Sequence, residues 1–167
     1  MSEKTAKKQR KPKFRRVYTN KTIPTGLTLC EADLMEMKAF GVPTENLKMS
    51  LELMLDISKR SYKIYNKRGQ LCGVAGVQDH GCRIGMPWFL SNGKVQEESP
   101  LEFYRQAKKV LREMEKDFDI LHNYCWVENT KTIDWLESLG FQFDYDNPQT
   151  FVRDDILLYN FRKVCQK

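Results

Sequence analysis

The chain lacks any apolar stretch close to the roughly 20 residues that are needed to span a bilayer. Its first residues are basic, but no apolar segment follows them, so the N-terminus does not resemble a secretory signal peptide. The 167 residues, 41% of them hydrophobic, suit a single domain with its own core. We therefore expect an intracellular protein without a membrane partner.

The cysteines lack the pattern of a disulfide framework. There are five, an odd number, and no two form a Cys-x-x-Cys pair, which favours reduced and mostly buried thiols. His80, Cys82, His122 and Cys125 are the residue types of a zinc site. However, residues 122 and 125 on one strand would point to opposite faces, and a tetrahedral site needs all four ligands to converge. We predict no metal site.

Nucleotide-binding motifs are also missing. The chain has no GxxxxGK sequence and no GxGxxG sequence, so neither a P-loop nor a dinucleotide-binding turn is indicated. The spacing of the residues reveals no Ser-His-Asp triad, although such triads are defined by geometry and not by order.

Positive charge is concentrated at the N-terminus. Residues 1–16 contain eight basic residues and one acidic residue, a net +7, whereas the other residues contain 20 basic and 21 acidic, a net −1. A run of like charges with few apolar residues does not order itself, so we predict a disordered tail over 1–16 and a folded domain over 17–167. Such a tail suits contact with nucleic acid or an acidic partner, the alternative being a purely solubilising role. Its basic residues are Lys4, Lys7, Lys8, Arg10, Lys11, Lys13, Arg15 and Arg16.

Hydrophobic periodicity and turn residues predict eleven elements. The predicted strands lie near 17–23, 61–65, 71–77, 84–90, 120–127, 141–145 and 151–161, and the helices over 28–40, 44–55, 99–118 and 130–139. Thr28 and Glu31 form a capping-box pattern, and Asn129 is placed to cap the last helix, where Leu136 faces inward. The order predicts an α/β (α+β) fold with a central, mixed, mostly antiparallel sheet of six to seven strands and about four flanking helices.

The segment from Trp126 to Phe141 resembles the GNAT acetyltransferases. In that family an asparagine follows the fifth strand, and a short helix ends in Gly-Phe; here Asn129 and Gly140 stand 11 residues apart. The resemblance covers about residues 17–162. It implies the GNAT fold, acetyl-CoA as cofactor and N-acetyl transfer as the activity. The residues it places at the cofactor are Phe89, Leu90, Asn92, Gly93 and Asn129.

A second resemblance concerns small GNAT-like proteins of short-tailed bacteriophages, including internal virion proteins. It is carried by Gly73–Gly76, Cys82, Trp88-Phe89, the segment from His122 to Thr130, and Leu139-Gly140. It implies a location in the virion or the host cytoplasm and a phage virion protein or a host protein as partner. Contact with DNA would be made through residues 4–16.

Two departures from the family pattern bear on catalysis. The pyrophosphate loop of the family has several glycines, whereas residues 91–100 hold one, Gly93, beside Glu97 and Glu98. The family often has a tyrosine as general acid at the position where this chain has Leu136. We therefore predict a non-catalytic GNAT-fold phage protein, without a cofactor, that acts by binding.

Two alternatives remain open. The first is an acetyl-CoA-dependent N-acyltransferase with an aberrant loop, in which Asn129 would serve the active site. The second is a nucleic-acid-binding protein that works mainly through its tail. Trp88 and Trp126 would lie near the opening between strands four and five, either in the core or along a groove that a protein partner uses.

Overall fold

The computed structural model describes residues 10–18, 20–24 and 26–166. The elements follow the order β1 (Lys13–Arg16), α1 (Glu31–Ala39), α2 (Leu47–Ile57), β2 (Arg60–Tyr65), β3 (Leu71–Asp79), β4 (Ile84–Ser91), α3 (Lys94–Glu98), α4 (Pro100–Glu115), β5 (Ile120–Trp126), α5 (Thr130–Ser138), β6 (Gln142–Gln149) and β7 (Leu158–Val164). None of the helices in these ranges is both long and apolar enough to cross a membrane.

The strands form one twisted sheet in the order β1-β2-β3-β4-β5-β7-β6. All neighbours are antiparallel except β4 and β5, which are parallel and pair over a short length. The mixed, mostly antiparallel sheet with flanking helices confirms the predicted fold class. The single parallel pairing divides the sheet into a β1–β4 half and a β5–β7 half.

The helices cover both faces of this sheet. α4 and α5 pack on one face, where Phe103, Leu111 and Leu136 join a core cluster with Phe89 of β4. α1 and α2 cover the other face, where Trp88 joins a second cluster. Successive residues of a strand point to opposite faces, so adjacent β4 residues belong to different clusters.

The predicted start of the domain is wrong. Residues 13–16 were expected in the disordered tail, but they form β1 and pair antiparallel with β2, from Lys13 opposite Tyr65 to Arg16 opposite Tyr62. The cause is Phe14, whose ring lies 5.5 Å from that of Phe103 and anchors the strand against α4. The first strand predicted near 17–23 is absent from the described part of that range.

The predicted basic tail is thus split in three. Lys4, Lys7 and Lys8 lie outside the described residues. Arg10 and Lys11 are exposed and precede β1, whereas Lys13, Arg15 and Arg16 are exposed side chains of β1 itself.

Three local predictions also need correction. The capping box at Thr28 and Glu31 does not form: α1 begins after Cys30, whose N–H donates to the Ser91 carbonyl of β4 at 2.9 Å. This tertiary bond holds the chain extended up to residue 30. The loop predicted over 91–100, before α4, contains the five-residue helix α3, and β6 extends through Asn147 and Pro148, which lie between the strands predicted over 141–145 and 151–161.

The role of Phe14 gives a test of the corrected boundary. We expect Phe14→Ala to lower the free energy of unfolding by about 2 kcal/mol, because the half-buried ring no longer packs against α4. Tyr18→Ala, at a side chain that is 76% exposed, should change it by less than about 0.5 kcal/mol. Urea denaturation of both variants measures this, and equal stabilities would place β1 outside the cooperative fold.

Candidate functional site: the groove between β4 and β5

The groove begins where β4 and β5 separate. The strands pair at Ile84 with Ile120 and at Gly85 with Leu121, and the β4–β5 register ends there. Gly85 permits this close approach, since a Cβ on it would lie 2.7 Å from the ring of Phe118. Beyond this point each strand stays paired with its outer neighbour, so a wedge-shaped opening runs toward the ends of both strands.

The opening leads into an elongated cavity of about 470 Å³. Its lining is mostly apolar and comes from both faces of the sheet, as expected of a gap that passes between two strands. The α5 side contributes Trp135 and Leu136, and the α1 side contributes Met37 and Phe40. Cavities of this size commonly hold small ligands.

One side chain bridges the two strands inside the groove. Asn123 of β5 donates its Nδ2 to the backbone carbonyl of Pro87 in β4 at 2.8 Å. Pro87 has no N–H group, so its carbonyl is the polar group that it contributes to the sheet. The bond therefore satisfies an acceptor that the separation of the strands would otherwise leave unpaired.

Helix α1 supplies a carboxylate to each side of the opening. Asp33 accepts the Ser91 N–H of β4 at 2.6 Å, and Glu36 accepts the Trp126 N–H of β5 at 3.0 Å. The two carboxylates are three residues apart and share one face of α1. Because strand N–H groups that lack a neighbouring strand need another acceptor, α1 takes the place of the missing backbone partner.

Burial changes the acid–base properties of these groups. It raises the pKa of Asp33 from 3.8 to about 7, against the stabilising N–H of Ser91. Burial also raises the pKa of Glu36, whose carboxylate is enclosed although its stem is partly exposed. The thiol of Cys125, buried beside Glu36, has a raised pKa for the same reason and is therefore a poor nucleophile.

Asn129 does not have the predicted capping bond. It occupies the N-cap position of α5, but its side chain makes no bond to the helix; its Nδ2 donates to Glu36 at 3.2 Å instead. The bond from Nδ2 to the Glu36 carboxyl fixes the orientation of the amide, and in that orientation Oδ1 accepts no bond from a helix N–H. Asn129 thus helps Glu36 to connect α1 with the start of α5.

The loop at the mouth of the groove uses its own N–H groups. Gly93 N–H donates to Ser91 Oγ at 3.1 Å, Lys94 N–H to Asn92 Oδ1 at 3.0 Å, and Asn92 N–H to the Cys72 carbonyl at 2.9 Å. Glu97 is exposed and lies 3.7 Å from Lys131. These three residues therefore offer no free N–H groups that could hold an anion.

The predicted cofactor residues are only partly brought together. Phe89 packs on the α4–α5 face, with ring centroids 5.4 Å from Phe103 and 5.6 Å from Trp135. Leu90 points to the opposite face, into the cluster under α1 and α2. Asn92 and Gly93 lie in the loop at the end of β4. Asn129 lies at the start of α5, where its side chain is hydrogen-bonded to Glu36 of α1.

Solved structures share this architecture. A spermidine N-acetyltransferase from Vibrio cholerae, crystallised with CoA and spermine, aligns with a TM-score of 0.61 over 93% of this chain and 96% of its own, at 12% identity. A GNAT-family acetyltransferase from Bacillus anthracis aligns with a TM-score of 0.58 over 82% and 84%, at 13% identity. The chain has the GNAT fold. At this level of identity the likeness establishes the fold and not the activity.

A protein-family model adds a second likeness. The model described as "Bacteriophage T7, probable scaffold protein Gp13" matches residues 71–147, from the start of β3 into β6. The matched segment contains β4, β5 and α5 of the groove, whereas α1 lies outside it. A search of curated proteins finds no significant match. The predicted resemblance to GNAT proteins and to a phage family is therefore confirmed.

Within the GNAT fold, Leu136 occupies the position at which the resemblance places a tyrosine. The structure buries Leu136 in the core cluster under α5, as the helical pattern predicted. The adjacent Trp135 lines the cavity, and its ring packs on Phe89 and Phe103. Neither side chain can donate a proton to a leaving thiolate at neutral pH.

Sequence reasoning missed the two α1 carboxylates. Asp33 and Glu36 lie on the same helical face as Met37 and Phe40, which a 3.6-residue period places toward the core. A carboxylate at an inward position is the signal that would have found them, since such groups are buried only with partners.

The raised pKa of Asp33 gives a pH test. Between about pH 4 and pH 7 the Asp33 carboxyl is protonated in the folded state but ionised in the unfolded chain. The contribution of Asp33 to the free energy of unfolding is therefore lost as the pH rises through that range. We expect Asp33→Asn to gain on the order of 2–4 kcal/mol relative to the parent chain between pH 4 and pH 8. Urea denaturation across this range measures it. The control Asp56→Asn, at a side chain that is 72% exposed, should follow the parent chain.

The hydrogen bond between Asn129 and Glu36 gives a second test. We expect Asn129→Ala to cost about 1–3 kcal/mol, because it removes a donor from an enclosed carboxylate. Asn147→Ala, which alters an amide in the exposed part of β6, should cost less than about 0.5 kcal/mol. If the cost at Asn129 vanishes in a Glu36→Gln background, the two residues are coupled as described; an unchanged cost would contradict the bond.

Proposed function

We propose that this chain is a non-catalytic GNAT-fold bacteriophage protein, associated with the virion, that acts by binding a phage virion protein or a host protein. The observation that carries the proposal is the set of bonds inside the groove. Asp33, Glu36 and Asn123 satisfy backbone groups of β4 and β5, so a ligand between the strands would have to displace side chains of the protein itself.

The residues at the groove do not fit the pyrophosphate of acetyl-CoA. The N–H groups of Asn92, Gly93 and Lys94 are bonded within the protein. Glu97 and Glu98 stand immediately before α4, where carboxylates compete with an anionic ligand for the helix N-terminus. Pro100 removes a further N–H donor from that end.

The phage assignment is supported by the family-model match over residues 71–147. That family is described as a probable scaffold protein, which suits a role in the particle, so we place the chain in the virion or in the host cytoplasm before assembly. Mass spectrometry of gradient-purified particles of the phage that encodes it tests this. We expect the chain among the particle proteins; its presence in infected cells and absence from particles would contradict the virion role.

The second candidate is an acetyl-CoA-dependent N-acyltransferase with an altered loop. One observation favours it, which is the cavity of about 470 Å³ between β4 and β5. The structural relative from Vibrio cholerae is a spermidine N-acetyltransferase crystallised with CoA. In this chain Asn129 and Phe89 would then contact the cofactor.

Calorimetric titration separates the two candidates. We expect acetyl-CoA, added to millimolar concentration to the full chain, to give neither saturable heat nor a rise in melting temperature. ADP is the matched control ligand, because it carries the diphosphate without the pantetheine arm. Micromolar binding of acetyl-CoA that exceeds the binding of ADP, with turnover of an amine acceptor, would establish the acyltransferase instead.

A further inference from the structure

The outer surface of α4 carries an uninterrupted set of cations. Its exposed residues after the first turn are all basic; we call Arg105, Lys108, Lys109, Arg112 and Lys116 the α4 basic face. They span 12 residues, or about 16 Å of helix from the first to the last. The side of α4 that faces the sheet is apolar, so the cations stand on the side directed to solvent.

The acidic residues of α4 do not neutralise this face. Glu113 accepts the Tyr62 hydroxyl at 2.7 Å, and Glu115 lies 2.6 Å from Lys163 of β7. Glu102 is the exception, since it accepts from Gln106 and lies 3.8 Å from Arg105.

The other four cations of the face are not held in salt bridges within the part of the chain that the structure describes. Across residues 10–18, 20–24 and 26–166, Lys108, Lys109, Arg112 and Lys116 form no salt bridge. Glu113 stands four residues from Lys109 and Glu115 three from Arg112, yet both acids bond to other elements of the fold.

The described part of the N-terminal basic segment adjoins this face. The ring contact between Phe14 and Phe103 fixes β1 beside α4. The pKa of Glu102 is lowered first by its hydrogen bond from Gln106 and then by the nearby charges of Lys11, which precedes β1, and of Arg105 and Lys109. The fold therefore joins two basic segments, about 90 residues apart in the chain, into one surface.

We propose that the α4 basic face, together with Arg10 and Lys11, binds the phosphate backbone of double-stranded DNA. The composition favours phosphate over a protein partner, because protein interfaces are centred on apolar and aromatic residues and are poor in lysine. It also favours a duplex over single strands, which are bound by exposed aromatic platforms. Tyr104, an aromatic residue of the same helix, is already engaged with Lys108 and with the Ser138 carbonyl.

The α4 basic face is independent of the proposed function. The cavity lies on the buried side of α4, where Ala107, Val110 and Leu111 line it, whereas the α4 basic face lies on the outer side. Binding of acetyl-CoA would overturn the proposed function and leave the DNA surface untouched. Conversely, a failure to bind DNA would say nothing about ligand binding in the groove and would leave the proposed function unchanged.

Fluorescence anisotropy with a labelled duplex of unrelated sequence tests the surface. The full chain is compared with the variant Lys108→Gln, Lys109→Gln, Arg112→Gln, Lys116→Gln over a series of salt concentrations. We expect at least about tenfold weaker binding at low salt. The slope of log K against log salt should fall in magnitude by up to about 3.6, since each phosphate that is no longer neutralised lowers it by about 0.9.

A control variant removes the same number of charges elsewhere. It carries Lys38→Gln, Lys48→Gln, Arg68→Gln and Lys131→Gln, all at exposed positions outside α4. It should retain the affinity and salt slope of the parent chain. Circular dichroism establishes that both variants are folded, and Lys109→Gln with Lys116→Gln replaces the fourfold change if that variant unfolds.

Three outcomes would overturn the inference. Equal losses in both variants would mean that overall charge, and not this face, attracts DNA. Unchanged binding in both would leave the N-terminal segment as the binder. If the parent chain fails to bind the duplex but binds polyglutamate, the partner of this surface is an acidic protein.

Discussion

The separation of β4 from β5 dictates how the remaining elements are held. Two parallel strands that pair for two residues and then diverge leave backbone donors and acceptors without partners. The protein satisfies them with side chains, using Asp33 and Glu36 from α1 and Asn123 from β5 itself. Helix α1 is consequently tied to both halves of the sheet, and its position follows from this requirement as well as from apolar packing.

The same bonds connect architecture with function. In the GNAT fold the opening between these strands is where the resemblance places acetyl-CoA, and here its walls carry acids that burial keeps from ionising easily. Glu36 extends the connection to Asn129 and thus to the start of α5. In this chain the side chains that line the groove hold the two halves of the sheet and two helices together. This structural use of the groove is the physical basis of the proposed non-catalytic role.

Charge provides the second organising feature. The sequence concentrates the net positive charge in residues 1–16 and leaves the rest near neutrality. The tertiary structure redistributes that balance, because the acids of α4 turn toward Tyr62 and Lys163 while its cations remain on the outer side. Near-neutral net charge therefore coexists with a strongly basic surface, and β1 places the described N-terminal cations next to it.

Periodicity and local turn chemistry were enough to predict the fold class, the helical face of α4 and the burial of Leu136. They misplaced β1, because Phe14 stands among like charges and has its partner, Phe103, 89 positions further along the chain. That Asp33 and Glu36 accept the strand N–H groups beside the groove, and that Asn129 bonds to a carboxylate and not to a helix end, emerged from the folded chain alone. Those choices depend on which backbone groups the diverging strands leave unpaired, a property of the assembled sheet that no local pattern contains.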